Sequence, residues 1–136
     1  MPTIESPGGF KRWELPIIPK AHNRTKWKHW TAAYGEKARW QTAVMALPPG
    51  PWPGKTEVFS NSVGLARVQI LLLIFRWRKT QDPTNVRASV KELEDALVGR
   101  GWAVDDTEEW LDLRVKEEAV KHKRDQRTVI LWRIAP

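Results

Sequence analysis

Asp82, Asp105 and Asp106, with Lys91 between them, are the side chains of this chain whose types and spacing could do chemistry. Carboxylate oxygens are what a hard cation such as Mg²⁺ prefers, usually one or two of them together with water and a substrate phosphate. A pair of such ions about 3.5–4 Å apart can activate an attacking water and stabilise the leaving oxygen of a phosphodiester. Lys91 could reach the scissile phosphate or that water. Each residue also has an ordinary structural explanation. Asp82 is followed by Pro83, a pairing that suits a helix start, and Thr84 could cap the same helix. Lys91 can pair with Asp95 one turn on. Spacing alone does not bring Asp105 and Asp106 back to Asp82.

The elements that must position these groups are legible around them. The strongest strand signal is Leu65–Trp77 (LARVQILLLIFRW): Val68, Ile70, Leu72 and Ile74 share one face, and Leu71, Leu73, Phe75 and Trp77 the other. It is expected to be a central strand covered on both sides in its second half. Asp82 then stands just past its carboxyl end, where open α/β sheets place their sites. From Val86, the series Val86, Val90, Leu93, Leu97 predicts one amphipathic helix, closed by Gly99 and Gly101. Trp13–Ile18 reads as a first strand after a loose arm over residues 1–12. Thr31 opens a helix to about Leu47, with Ala33, Trp40, Val44 and Leu47 at helical spacing. The run PPGPWPG stops it, and a surface loop continues to about Ser62. Trp110–Val120 and Arg127–Ile134 read as two closing strands joined as a hairpin through KHKRDQ. The expected class is α/β (α+β), a single domain over residues 13–136 whose mixed sheet has helices packed on it, in the order β-α-β-α-β-β.

Composition narrows the partners. The 136 residues carry a net charge of +7, a pI near 10.0 and no cysteine. That excludes a disulfide framework and a thiolate metal site. The charge is uneven: residues 1–80 hold 13 Lys/Arg against 4 Asp/Glu, a net of +9, and residues 81–136 hold 10 against 12, a net of −2. A basic half joined to a carboxylate-bearing half suits a metal-dependent enzyme acting on nucleic acid; a generically basic protein with paired surface charges fits the same numbers. The N-terminus lacks the apolar core of a signal peptide, and the run Ile70–Phe75 is too short to cross a bilayer, so a cytoplasmic protein with no membrane partner is expected.

The stretch HNRTKWKHW (His22–Trp30) interleaves cations with tryptophans. Arg24, Lys26 and Lys28 would hold phosphates with the salt dependence of counterion release, and Arg76, Arg78 and Lys79 of the RWRK run could do the same. Trp27 and Trp30 could stack on unpaired bases or roof the core. His22 and His29 do not make a zinc site, because the third histidine, His122, is remote and no cysteine helps.

Asp82-x-x-Asn85, Lys91 and DALVGRGWAVDD together resemble the core motif of the RusA-like Holliday junction resolvases. LPIIPKAHNRTKWKHWTAAYGEKARWQ is similar to that family's first strand, its Pro-x-x-x-Asn loop (ending here at Asn23) and its first helix, and LDLRV…RTVILWRI to its closing hairpin. The likeness runs in order over about residues 13–135. It implies a homodimeric, Mg²⁺-dependent endonuclease, with Mn²⁺ as a substitute, that nicks two symmetry-related strands of a four-way DNA junction in recombination and repair. By position it implies Asp82, Lys91 and Asp106 as catalytic residues and Asp82, Asp106, Asp105 and Thr84 around the metal. Asn85 and Asp95 would support them, and Asn23, Arg24, Lys26, Lys28, Arg76, Arg78 and Lys79 would hold DNA. A bacterial nucleoid or a phage-infected cell is the implied setting. Two departures stand out: Thr84 occupies the place of a second aspartate, and the interval to the lysine is longer by about one helical turn. A threonine hydroxyl can still ligate Mg²⁺, and Glu94 or Asp105 could supply the missing charge. Two other readings share these residues: a catalytically weak or inactive junction-binding protein of the same fold, and an unrelated small basic nucleic-acid-binding regulator.

Overall fold

A computed structural model describes residues 4–6, 9–20, 30–52, 65–77 and 83–136. Their elements are β1 (Ile4–Ser6), β2 (Phe10–Leu15), α1 (Trp30–Val44), β3 (Val68–Trp77), α2 (Pro83–Ser89), α3 (Lys91–Gly99), β4 (Leu111–Val120) and β5 (Arg127–Ile134). The strands form one mixed sheet in the order β1-β2-β5-β3-β4, parallel between β3 and β4 and antiparallel elsewhere. This is a small mixed α/β domain, as the alternation of periods 2 and 3.6 in the sequence required. Among the described residues no helix is long and apolar enough to cross a membrane.

Strand β3 is central, paired along its length by β4 on one side and β5 on the other. Its alternation is strict: Val68, Ile70, Leu72 and Ile74 are buried, and they share one core with Trp40, Val44 and Leu47 from the α1 region and Val86, Val90, Leu93 and Leu97 from α2 and α3. Leu71, Leu73, Phe75 and Trp77, on the opposite face, are only half-buried. The guanidinium of Arg127 lies 4.0 Å from the Phe75 ring centroid on that face, so part of the cover comes from a charged side chain's flat face.

Four expectations about the elements need correcting. Residues 4–6 and 10–12 are not a loose arm: β1 and β2 form a hairpin, Ser6 opposite Phe10, turned through Gly9 at φ +79. The strand expected over Trp13–Ile18 accordingly begins at Phe10 and ends at Leu15, where pairing with Thr128 of β5 stops. The single helix expected from Val86 is two, broken at Val90 (φ −96, ψ 3). Ser89 Oγ donates to the Val86 carbonyl at 2.8 Å, a local bond that competes with the helical ladder at the break. Finally, β4 and β5 are not a hairpin. They flank β3, and a 3₁₀ turn at Lys123–Asp125 carries the chain across the end of β3, where the Trp77 amide donates to Gln126 Oε1 at 3.1 Å. The polar run KHKRDQ signals a turn, but a turn does not state which strand lies between the two it joins.

Candidate functional site

The site is built where α3 begins and where the chain leaving α3 comes back. Helix α3 opens with Lys91 and runs to Gly99, burying Leu93, Ala96, Leu97 and Val98. Its exit is fixed by Gly101, at φ +87, whose amide donates to the Val98 carbonyl at 3.0 Å, and by the Trp102 amide, which donates to Leu97 at 3.0 Å. A Cβ on Gly101 would collide with the Trp52 carbonyl. Trp102 and Ala103 are then buried, which drives the segment back along the helix it has just left. It delivers Asp105 and Asp106 to the first turn of α3.

There Lys91 Nζ stands 3.3 Å from Asp106 Oδ2 and 3.3 Å from Asp95 Oδ1. The Asp106 amide donates to Asp105 Oδ1 at 2.8 Å, so the two neighbouring aspartates are locally ordered and one carboxylate turns back on the backbone. The Lys91 side chain is 54% exposed, Asp106 25% and Asp95 37%. This is an open, wet cluster in which each ion pair by itself contributes little to stability. Partial burial pulls the Lys91 pKa down. The Asp95 hydrogen bond, the nearby Glu94 and Asp95 charges and the Asp106 bond outweigh it, and the ammonium is held above the ordinary lysine value. Glu92 beside it is pushed up, first by burial and then by the charge of Asp95.

The break between α2 and α3 is clamped from below. Arg87 Nη1 donates to Glu94 Oε2 at 2.9 Å, and Glu94 is buried. Glu94 thus joins the two helices through Arg87. No feature of the sequence at spacing i, i+7 would have flagged this pair, because the helix break changes the phase between them.

Lys91, Asp95, Asp105 and Asp106 are therefore brought together. Asp82, Asn23, Arg24, Lys26, Lys28, Arg78 and Lys79 lie outside the described residues, as do the side chains of Thr84 and Asn85 in the first turn of α2. Among the described residues no three acidic or imidazole groups converge on a common metal position. The oxygen-only character of Asp105 and Asp106, held beside a cation, fits a hard divalent ion better than a soft one.

Arg76 is placed differently from expectation. It is 8% exposed, with Nη2 donating to the Pro19 carbonyl at 2.8 Å and Nε 3.0 Å from Glu117 Oε1, an ion pair without the in-line geometry of a hydrogen bond at that nitrogen. The reason is parity. Position 76 belongs to the same face of β3 as Val68, Ile70, Leu72 and Ile74, so its guanidinium is turned inwards, where a carboxylate from β4 meets it. It secures the strand and does not present itself to a phosphate.

No protein-family model matches this chain, and no curated protein is significantly similar to it in sequence.

Proposed function

We propose that this protein is a RusA-like, Mg²⁺-dependent DNA endonuclease that acts as a homodimer and resolves four-way junctions by paired nicks. The observation that carries the proposal is the cluster at α3. Lys91 and Asp106, the two residues in which the resemblance implies a catalytic lysine and a metal-binding acid, stand 3.3 Å apart across fifteen positions of chain. The net of +9 over residues 1–80 supports a polyanionic partner.

In this reading Asp82 and Asp106 would hold the metal, with Asp105 and the Thr84 hydroxyl beside them. The bound ion would supply Lewis-acid activation of the phosphodiester and of its attacking water. The chain's own residues do the rest. Asp95 and Asp106 hold the Lys91 ammonium charged and oriented, so that it can meet the charge that accumulates on the phosphoryl oxygens in the transition state. Asp105, bonded to the Asp106 amide, fixes the backbone from which the Asp106 carboxylate projects. Two symmetric nicks need two such sites, hence the dimer.

The experiment is incubation of an end-labelled four-way junction with the protein and Mg²⁺ or Mn²⁺. Paired nicks at symmetric positions, abolished in Asp106→Asn while junction binding in EDTA persists, support the nuclease. Thr84 in the place of an acid favours one second reading, a junction-binding protein without turnover. Tight, junction-selective binding with no cleavage in either metal would establish it, and equal binding of duplex and junction would point to a general basic DNA-binding protein.

A further inference from the structure

The start of β2 and the end of β5 border a slot that the α3 cluster does not use. Its volume is ≈ 400 Å³, and Lys11, Trp13, Trp102, Trp132 and the Pro48–Pro51 turn line it. A second hollow of ≈ 500 Å³ shares Lys11 and Trp132 with it. No Asp or Glu side chain is found among the described residues lining either.

The slot is preformed. Register pairs Lys11 with Trp132 across β2 and β5, and the ammonium lies 5.9 Å from the indole centroid. Trp132 Nε1 donates to the Trp102 carbonyl at 2.8 Å, and Trp102 Nε1 to the Pro48 carbonyl at 2.9 Å. The proline turn is tied down in its turn: the Gly50 amide donates to Arg100 at 3.0 Å and that of Trp52 to Gly101 at 3.2 Å. A Cβ on Gly50 would strike the Gly101 backbone, so the approach needs glycine there. Trp13 and Trp102, ring centroids 4.5 Å apart, are core residues; Trp132 is half-buried, with its N–H satisfied and its orientation locked.

A locked, partly open indole beside an exposed lysine has the parts of a stacking platform for a nucleobase with a cation for the adjoining phosphate. A proline-rich peptide could also lie on tryptophan and proline, but it brings no anion for Lys11 and gains nothing from a chain of net charge +7. We propose that this slot binds an unpaired nucleotide of single-stranded DNA, with the base on Trp132 and the neighbouring phosphate on Lys11. The proposal needs no metal and no nuclease activity.

The test is fluorescence anisotropy with a labelled short oligothymidylate in EDTA at low salt, with a blunt duplex for comparison. The expected result is binding of the oligothymidylate with quenching of tryptophan emission. Trp132→Ala should weaken it by about tenfold, Trp132→Phe should retain most of it, and Lys11→Ala should lower the salt slope by about 0.7. Should Trp132→Ala fail to fold, the exposed Lys11→Ala and Lys11→Glu variants decide alone. No binding of the oligothymidylate, affinity and salt slope unchanged in the Lys11 variants, or displacement of the oligothymidylate by oligoproline would each overturn the assignment. Because every arm lacks metal, none of these outcomes bears on junction cleavage.

Discussion

Lys91 and Asp106 meet at 3.3 Å because a glycine with positive φ reverses the chain after α3 and two buried residues, Trp102 and Ala103, hold it against the helix. The pair is half in solvent, so its worth lies in placement and charge and only slightly in stability.

Lys91→Gln tests that division. On the proposed nuclease reading, removing this one preorganised charge should slow Mg²⁺-dependent cleavage by about 100-fold. The urea midpoint should scarcely move, since an exposed substitution typically changes stability by less than about 0.5 kcal/mol. Single-turnover cleavage and urea unfolding on the same preparations separate the two effects.

The raised pKa of Lys91 sets a direction for pH. A lysine whose folded value lies above its unfolded value adds stability that is fully present below the ordinary lysine range and disappears as pH rises through the folded value. The charge is therefore in place throughout the neutral range. Cleavage should show no loss attributable to Lys91 until strongly alkaline pH, and a pH–rate profile of the wild type against Lys91→Arg checks it. Glu92 acts in the opposite sense at neutrality. Its raised value means that stability present when it is protonated is lost as pH rises through that value, so Glu92→Gln should be the more stable protein at pH 7 and should lose the advantage in acid. Thermal unfolding at the two pH values reads this directly.

Arg76→Ala should destabilise the fold by roughly 3 kcal/mol, because it takes the cation away from Glu117, whose side chain is 2% exposed. Arg76→Met combined with Glu117→Leu should recover most of that loss. The salt dependence of DNA binding should be the same in the wild type and in both variants. A salt slope that falls by about one in Arg76→Met alone would return Arg76 to the phosphate-binding set.

Much of the fold could be read from pattern. The alternation of β3 and the Val86, Val90, Leu93, Leu97 series state which faces are buried, and those residues are buried. What could not be read are relations set by register and topology. Lys11 and Trp132 are opposite each other only because β2 pairs with β5, and β4 and β5 are separated only because β3 lies between them. Arg76 is the instructive case. Its neighbours in RWRK suggest a phosphate contact, whereas its parity with Val68 and Ile74 turns it inwards. At the site, the bond between Lys91 and Asp95 follows from helical spacing, whereas that between Lys91 and Asp106 depends on how a Gly-Arg-Gly turn folds.

Thr84→Asp should raise Mg²⁺-dependent turnover, since affinity for the ion grows with the number of carboxylates around it. Metal titrations of the cleavage rate give the answer, and a clear fall would place the ion elsewhere.

The shared ion itself is the central claim, and anomalous scattering from crystals soaked in Mn²⁺ addresses it most directly. The account predicts density within about 2.5 Å of carboxylate oxygens from both Asp82 and Asp106, with Lys91 alongside. Carboxylates of 82 and 106 directed to separate regions, with no ion common to them, would contradict it and leave Asp82 as the cap of α2.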